Sequence, residues 1–452
     1  MAPTPPVPRS STEYERATYR KVTWRLVPFL FVCYVFAYVD RVNVGFAKLQ
    51  MQQDLSMSDA VYGIGAGIFF LGYFFFEIPA NMLMQRLGAR LWLGPIMILW
   101  GVVAACTMFV GSATSFYVLR FVLGIVESGF FPGVILYLTY WYTRQHRARM
   151  VAAFMTAIPL SGVLAGPISG AILGFGSDAG GLRAWQWLFL LEGIPSILAG
   201  AVAMLFLDDN PSRAKWLTSG ERGLLLNRLQ EEEAAKRSDG KSRHRLIDAF
   251  KSGQVWLLCV VYFGFVMGNY GLWFWLPQMI KDTLTKDPWK IGLASVIPWA
   301  AAAIVMVVFA HHSDSTGERR WHLALAGILG FVGFSASRLP GIPGALGLAA
   351  LTCAAIAVMC GQSTFWALPT SILSGSAAAG GIAWINSVGN LAGYVSPLII
   401  GEILDATGSM MLALLVVSVA CLMAGLVVLR VAKPPRLRPA STPRSLRRES
   451  RR

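Results

Sequence analysis

Charge is what this chain has least of. Of its 452 residues only 14% are Asp, Glu, Lys or Arg, while 55% are hydrophobic, and the mean hydropathy is +0.55. A water-soluble protein of this length needs far more polar surface, so the composition describes a polytopic membrane protein. Catalytic signatures are lacking as well. The sequence has no Gly-rich phosphate loop, no nucleophile elbow and no zinc-ligand spacing, which argues against ATP-driven transport by this chain, hydrolysis and enzyme chemistry. The five histidines (His146, His244, His311, His312, His322) mostly border polar turns without metal-ligand spacing. The six cysteines (Cys33, Cys106, Cys259, Cys353, Cys360, Cys421) all sit inside apolar runs with no CxxC. They read as small buried hydrophobes, so neither disulfide, metal nor cofactor is expected. A cleavable signal peptide is missing too. The stretch before Trp24 is polar and proline-rich, and the first apolar run is expected to serve as the insertion signal.

Apolar length is abundant. Runs able to cross a bilayer, about 20 residues each, occupy 24–46, 60–82, 91–110, 116–140, 150–173, 187–207, 255–280, 291–310, 322–337, 345–372, 381–404 and 410–431. They predict an all-α polytopic membrane protein of about twelve transmembrane helices. A charged stretch after the sixth run divides them six and six. It should be partly helical, with Thr218 or Ser219 as cap and Glu221 in the first turn. The expected organisation is an N-terminal tail (1–23), a six-helix bundle (24–207), a linker (208–253), a second bundle (254–432) and a basic tail (433–452).

The formal charge of +15 invites a nucleic-acid reading, but its distribution argues otherwise. Arg16, Arg20, Lys21, Arg25, Arg86, Arg90, Arg144, Arg147, Arg149, Arg319, Arg320, the linker and the final tail all fall on one side of the predicted spans. The other side holds few, mainly Lys48, Arg183, Lys281, Lys286, Lys290 and Arg338. The positive-inside rule then makes both termini cytoplasmic. The surface partner is the bilayer, with some attraction to anionic lipid, and not nucleic acid.

Few polar residues interrupt the runs. In "YVDRVNVGFA" (38–47) Asp40 and Arg41 end the first, where each charge costs about 2.5–3.5 kcal/mol at mid-bilayer even on the mild insertion scale. They are either a boundary pair at the membrane interface or members of a central cavity. Neighbouring helical residues point about 100° apart, so the two must face different ways. An arginine fork suits a carboxylate, to which it donates two parallel hydrogen bonds. Arg120 and Glu127 lie seven residues apart on one helical face. They form either a structural ion pair or partners free to exchange, Glu127 taking a proton when its cation turns to substrate. "WINSVGNLAGYVSP" (384–397) puts Asn386 and Asn390 one turn apart, as interhelical glue or as donors to a carboxylate. In "GQSTFWALPTS" (361–371) Gln362, Trp366 and Thr370 share a face, and Pro369 loosens the helix. In "GNYGLWFWLP" (268–277) Asn269, Tyr270 and Trp273 line an outer mouth or belong to the interface belt. Glu77 and Glu192, near Pro79 and Pro195, read as structural. "SGVLAGPISG" (161–170) spaces small residues as a close-packing face.

The turns "QRLGAR" (85–90) and "DSTGERR" (314–320) repeat a polar residue, Gly and Arg at similar offsets, which suggests two related halves with a substrate site between them. Both resemble the loop motif of the major facilitator superfamily, with Gln85 where an Asp is usual. Four further stretches join "YVDRVNVGFA": "EIPANMLMQRLGAR" (77–90), "RFVLGIVESGFFPGVILYLTYWYTRQHRAR" (120–149), "WQWLFLLEGIPSILAG" (185–200) and "LDDNPSRAKWLTSGER" (207–222). Together they resemble the anion:cation symporter family, in particular its bacterial tartrate, phthalate and hydroxyphenylacetate permease-like members, over about 23–431. The resemblance implies the major facilitator fold and a secondary active transporter, working as a monomer in the bacterial inner membrane. Such a protein imports a small organic carboxylate by proton symport. It implies Arg41 as the anion-binding residue, Asn386 and then Asn390 as substrate contacts, Asp40 and Glu127 as proton-coupling carboxylates and Arg120 as partner of Glu127. Trp366 and Tyr270 join the substrate set from their helical faces. The alternative is a proton-coupled exporter of a drug or metabolite on the same fold, for which Arg41 is a poor fit. A sensor would need a sizeable soluble domain.

Overall fold

The structure is a computed structural model and describes residues 11–175, 179–238, 252–373 and 375–432. Hydrocarbon offers no hydrogen-bond partners, so each crossing segment must satisfy its own backbone, which a helix does. The described residues are accordingly helical and contain no strand.

The first half comprises α1 (Ser11–Val42), α2 (Val44–Asp54), α3 (Asp59–Leu87), α4 (Ala89–Cys106), α5 (Ala113–Glu127), α6 (Phe130–Thr139), α7 (Arg144–Met155), α8 (Ala157–Phe175) and α9 (Ala184–Phe206). Helix α10 (Ser219–Ser238) follows in the linker. The second half comprises α11 (Gly253–Thr283), α12 (Pro288–Thr316), α13 (Arg320–Ala336), α14 (Gly344–Phe365), α15 (Ala367–Ile372), α16 (Gly375–Thr407) and α17 (Met410–Val427). Several are pieces of one crossing: α1 and α2 meet at Asn43, α5 and α6 at Ser128 and Gly129, and α14 and α15 at Trp366. Among the described residues eleven spans are long and apolar enough to cross a membrane. The remaining predicted run, 322–337, is the shorter α13, 17 residues long, held between α14 and α17.

Helix α1 begins at Ser11, well before the apolar run. Its early turns have a surface to lie on: Thr18, Tyr19 and Val22 are buried, and Tyr19 stacks on His146 with ring centroids 4.0 Å apart. Lys21 reaches Glu221 of α10 at 2.7 Å and Arg228 reaches Glu15 at 2.8 Å. Helix α10 starts on the predicted cap, with Thr218 Oγ1 accepting from Glu221 N and Glu221 Oε2 accepting from Thr218 N. Burial alone would raise the Glu221 carboxyl, but its bonds to Lys21 and Thr218 outweigh that and hold it below the ordinary range. Linker residues 239–251, including His244, and the basic tail 433–452 lie outside the described residues.

Within the first half α4 packs along α9 and α3 along α5; within the second α11 packs along α16 and α17. The halves meet through α3 on α16 and α8 on α12. The small-residue stripe 161–170 makes the second contact possible. A methyl group added to Gly166 would stand 2.5 Å from the Gly292 carbonyl, so only glycine allows the two backbones to touch. The polar links between halves gather at one end. Asp405 accepts hydrogen bonds from the N–H groups of Asp59 and Ala60, both at 2.9 Å, and Tyr62 donates to the Phe274 carbonyl at 2.8 Å. Lys281 donates to the Leu49 carbonyl at 3.1 Å. Toward the opposite end, marked by the Arg86–Arg90 turn, α16 turns to its own half, with Gly389 lying on Tyr262. The seam is thus sealed over its Asp59 end.

Candidate substrate and coupling site

Four charged side chains lie deep in the first half: Asp40, Arg120 and Glu127 are each 1% exposed and Arg41 6%. Asp40 and Arg41 close helix α1, and their side chains diverge as the helical rotation requires. Arg41 turns toward α5. Its Nε donates to Glu127 Oε1 at 3.0 Å, and Nη2 donates to the same oxygen. Its guanidinium lies 4.8 Å from the Tyr38 ring, 5.1 Å from Phe69 and 5.5 Å from Tyr73. Asp40 turns toward α4 and α9, where Oδ2 accepts from Trp100 Nε1 at 3.1 Å and from the Ser196 hydroxyl.

The sequence paired Glu127 with Arg120, its neighbour two turns away on the same helix. The structure pairs it with Arg41 instead, and Arg120 Nη2 donates to the Arg41 main-chain carbonyl at 3.2 Å. Seven residues rise about 10 Å along a helix, whereas Arg41 approaches from another helix at the height of Glu127. The Arg120 guanidinium also lies 5.3 Å from the Phe69 ring. One carboxylate, Glu127, thus lies bonded to the Arg41 guanidinium with the Arg120 guanidinium nearby, in a buried, aromatic-walled place.

The second half brings the residues that the sequence assigned to its side of the cavity. Tyr270 is buried, its ring 4.4 Å from Phe70. Trp273 stacks on Trp299 at 3.9 Å and lies 5.9 Å from Tyr38. Asn269, Tyr270 and Trp273, expected at an outer mouth or in the interface belt, are all buried in this conformation. Trp366 stands half-buried at the α14–α15 break, 4.8 Å from the Tyr262 ring, and Thr370 donates back to its carbonyl at 3.0 Å. Asn386 and Asn390 lie half-buried on α16, one turn apart. Among the described residues no hydrogen bond joins either amide to Arg41, Arg120 or Glu127. The structure thus assembles Arg41, Arg120 and Glu127 directly, while Trp366, Asn386 and Asn390 lie on helices of the second half.

Sequence reasoning missed the aromatic walls and the Asp40 cradle. Tyr38, three residues before Arg41, was available from helical spacing. Phe69, Tyr73, Trp100 and Ser196 come from other helices and carried no local signal. A cavity of about 500 Å³ at the Asp59 end is lined by Lys48, Gln52, Asp59, Gln278, Asp282 and Arg338. Its charges are already paired, Lys48 with Asp59 and Arg338 with Asp282, both at 2.8 Å.

Residues 30–397 match the sequence model of the Major Facilitator Superfamily. The chain belongs to that superfamily. A relative in Agrobacterium vitis, named as a tartrate transporter, is 45% identical over 403 residues, covering 88% of this chain and 91% of its own. A quinolone resistance transporter of Acinetobacter baumannii is 38% identical over 411 residues, covering 91% and 94%. Among solved structures, a bacterial homolog of the human lysosomal transporter Spinster, inward-facing and occupied, superimposes with a TM-score of 0.72 at 16% identity. That match covers 92% of this chain and 98% of the other. This major facilitator protein is therefore a polytopic membrane transporter and not an enzyme.

Proposed function

We propose that the chain imports a small organic carboxylate together with protons, by alternating access, across the bacterial inner membrane. The observation that carries this reading is the buried Arg41 guanidinium, bonded to Glu127 and with the Arg120 guanidinium beside it. In a site of low dielectric a guanidinium attracts an anion, and its fork suits a carboxylate.

Coupling follows from competition. Arg41 already spends its fork on Glu127, so an arriving carboxylate must take that place. Glu127, left without its cation in a desolvated site, then takes a proton. Proton and substrate each favour the other's binding. One proton makes a monocarboxylate electroneutral, and each further charge carried inward gains about 2.3 kcal/mol per 100 mV. Asn386 orients the bound acid with Asn390 second, and Trp366 and Tyr270 close on it as the halves rock. With the basic turns assigned to the cytoplasm, the sealed Asp59 end is external and this conformation is inward-facing. The relative named for tartrate supports the carboxylate class. The relative named for quinolone resistance favours, as a second reading, proton-driven export of a drug.

Proteoliposomes under an imposed pH gradient separate the two. At least one carboxylic acid in a screen of hydroxy and aromatic acids should accumulate, and Arg41→Ala should abolish it. Arg41→Lys, which loses the fork but keeps the charge, should raise KM about tenfold, the equivalent of one charged hydrogen bond. Drug efflux without any acid uptake, or wild-type uptake by Arg41→Ala, would overturn the reading.

A further inference from the structure

Behind the Arg41–Glu127 pair lies a second buried acidic group that the proposed coupling cycle does not use. Glu192 of α9 is 5% exposed, and Ser196, one turn along the same face, bonds to Asp40. The Ser169 hydroxyl of α8 donates to Glu192 Oε1 at 2.7 Å. Asn43, fully buried, lies within hydrogen-bonding reach of the Glu192 carboxyl. Asp40 Oδ1 is buried without a partner.

The charge inventory is one-sided. The carboxylates that bear on Asp40 are Glu192 and Glu127. Arg41 and Arg120 are turned to the Glu127 side. The other groups facing Asp40 and Glu192 are the neutral Trp100, Ser169, Ser196 and Asn43. An ionised carboxylate buried without a cation costs several kcal/mol, and two in one dry site cannot both keep their charge. The bonding of Asp40 fits a neutral acid. Both donors reach Oδ2, as they would the carbonyl oxygen, and Oδ1 is left as a hydroxyl would be.

We propose that Asp40 and Glu192 form a proton-holding pair, with Ser196 on Asp40 and Ser169 and Asn43 on Glu192. In this arrangement Glu192 is a functional proton site and not a structural residue. The proposal rests on the proton-coupled reading for its role in transport, but the presence of the proton does not. Infrared spectra of purified full-length protein in lipid nanodiscs at neutral pH test it without any substrate. The wild type minus Asp40→Asn/Glu192→Gln difference should contain a protonated-carboxyl stretch, which Glu192→Asp retains. Absence of that band from the difference means that both groups are ionised, and the proposal falls. In proteoliposomes Glu192→Gln should lower the number of protons carried per substrate, while an unchanged ratio would remove the pair from the coupling cycle. If no carboxylic acid is transported at all, the symport reading fails while the infrared result still decides the pair.

Discussion

Arg41 gains its usefulness from being bound already. A free buried guanidinium would cost several kcal/mol, and Glu127 removes that cost until a substrate carboxylate replaces it. Glu127→Gln keeps a hydrogen-bond acceptor for Arg41 while removing the proton carrier. Accumulation driven by a pH gradient should therefore be lost, while counterflow of labelled against unlabelled substrate persists. Loss of both in the same vesicles would make Glu127 a binding or structural residue. At this scale the sequence was informative about direction and less so about partners. That Asp40 and Arg41 face apart follows from helical rotation alone. That Glu127 meets Arg41 and not Arg120 depends on which helices lie side by side, and no spacing within one helix encodes that.

The elements show the same division. The stripe 161–170 was legible as a close-packing face because small residues recur every four positions, but its partner was not. Only the assembled helices show Gly166 against Gly292 and Gly162 beneath Trp299. The consequence is specific to the conformation with the Asp59 end sealed. Gly166→Leu would drive a side chain into the α12 backbone, and relief requires α8 and α12 to separate. Spin labels placed near Leu173 and Trp289 should report a longer distance in this variant than in wild type, with transport lost. An unchanged distance would mean that the contact is not close enough to set the seal. The helix breaks at Asn43 and Trp366 were less legible. Pro369 marked the second from three residues away, whereas nothing local marked the first. Both sit beside candidate site residues, where irregular backbone is tolerated because it lines protein and not lipid.

For the whole molecule, hydropathy contains the all-helical membrane class, and its twelve predicted runs correspond to eleven qualifying spans and one shorter helix among the described residues. It does not contain the conformation, because one sequence must serve both states of an alternating-access cycle with a small energy difference between them. The contacts that bias this difference can be named. Asp405 accepts two hydrogen bonds from the first turn of α3, at Asp59 and Ala60, where a carboxylate also meets the positive end of the helix dipole. These bonds exist only while the Asp59 end is sealed. A hydrogen bond to a charged group is worth about 1.5–3 kcal/mol, and about 1.4 kcal/mol is a tenfold change in population. Asp405→Ala should thus move the equilibrium toward opening at the Asp59 end by about tenfold or more. A cysteine introduced at Gln52, beside the sealed seam, should react faster with a membrane-impermeant thiol reagent added on that side. Asp405→Glu, which keeps the charge, should restore much of the protection. If the labelling rate in Asp405→Ala equals that of the parent, the seal is held by the glycine contacts of α3 and α8 and not by this carboxylate.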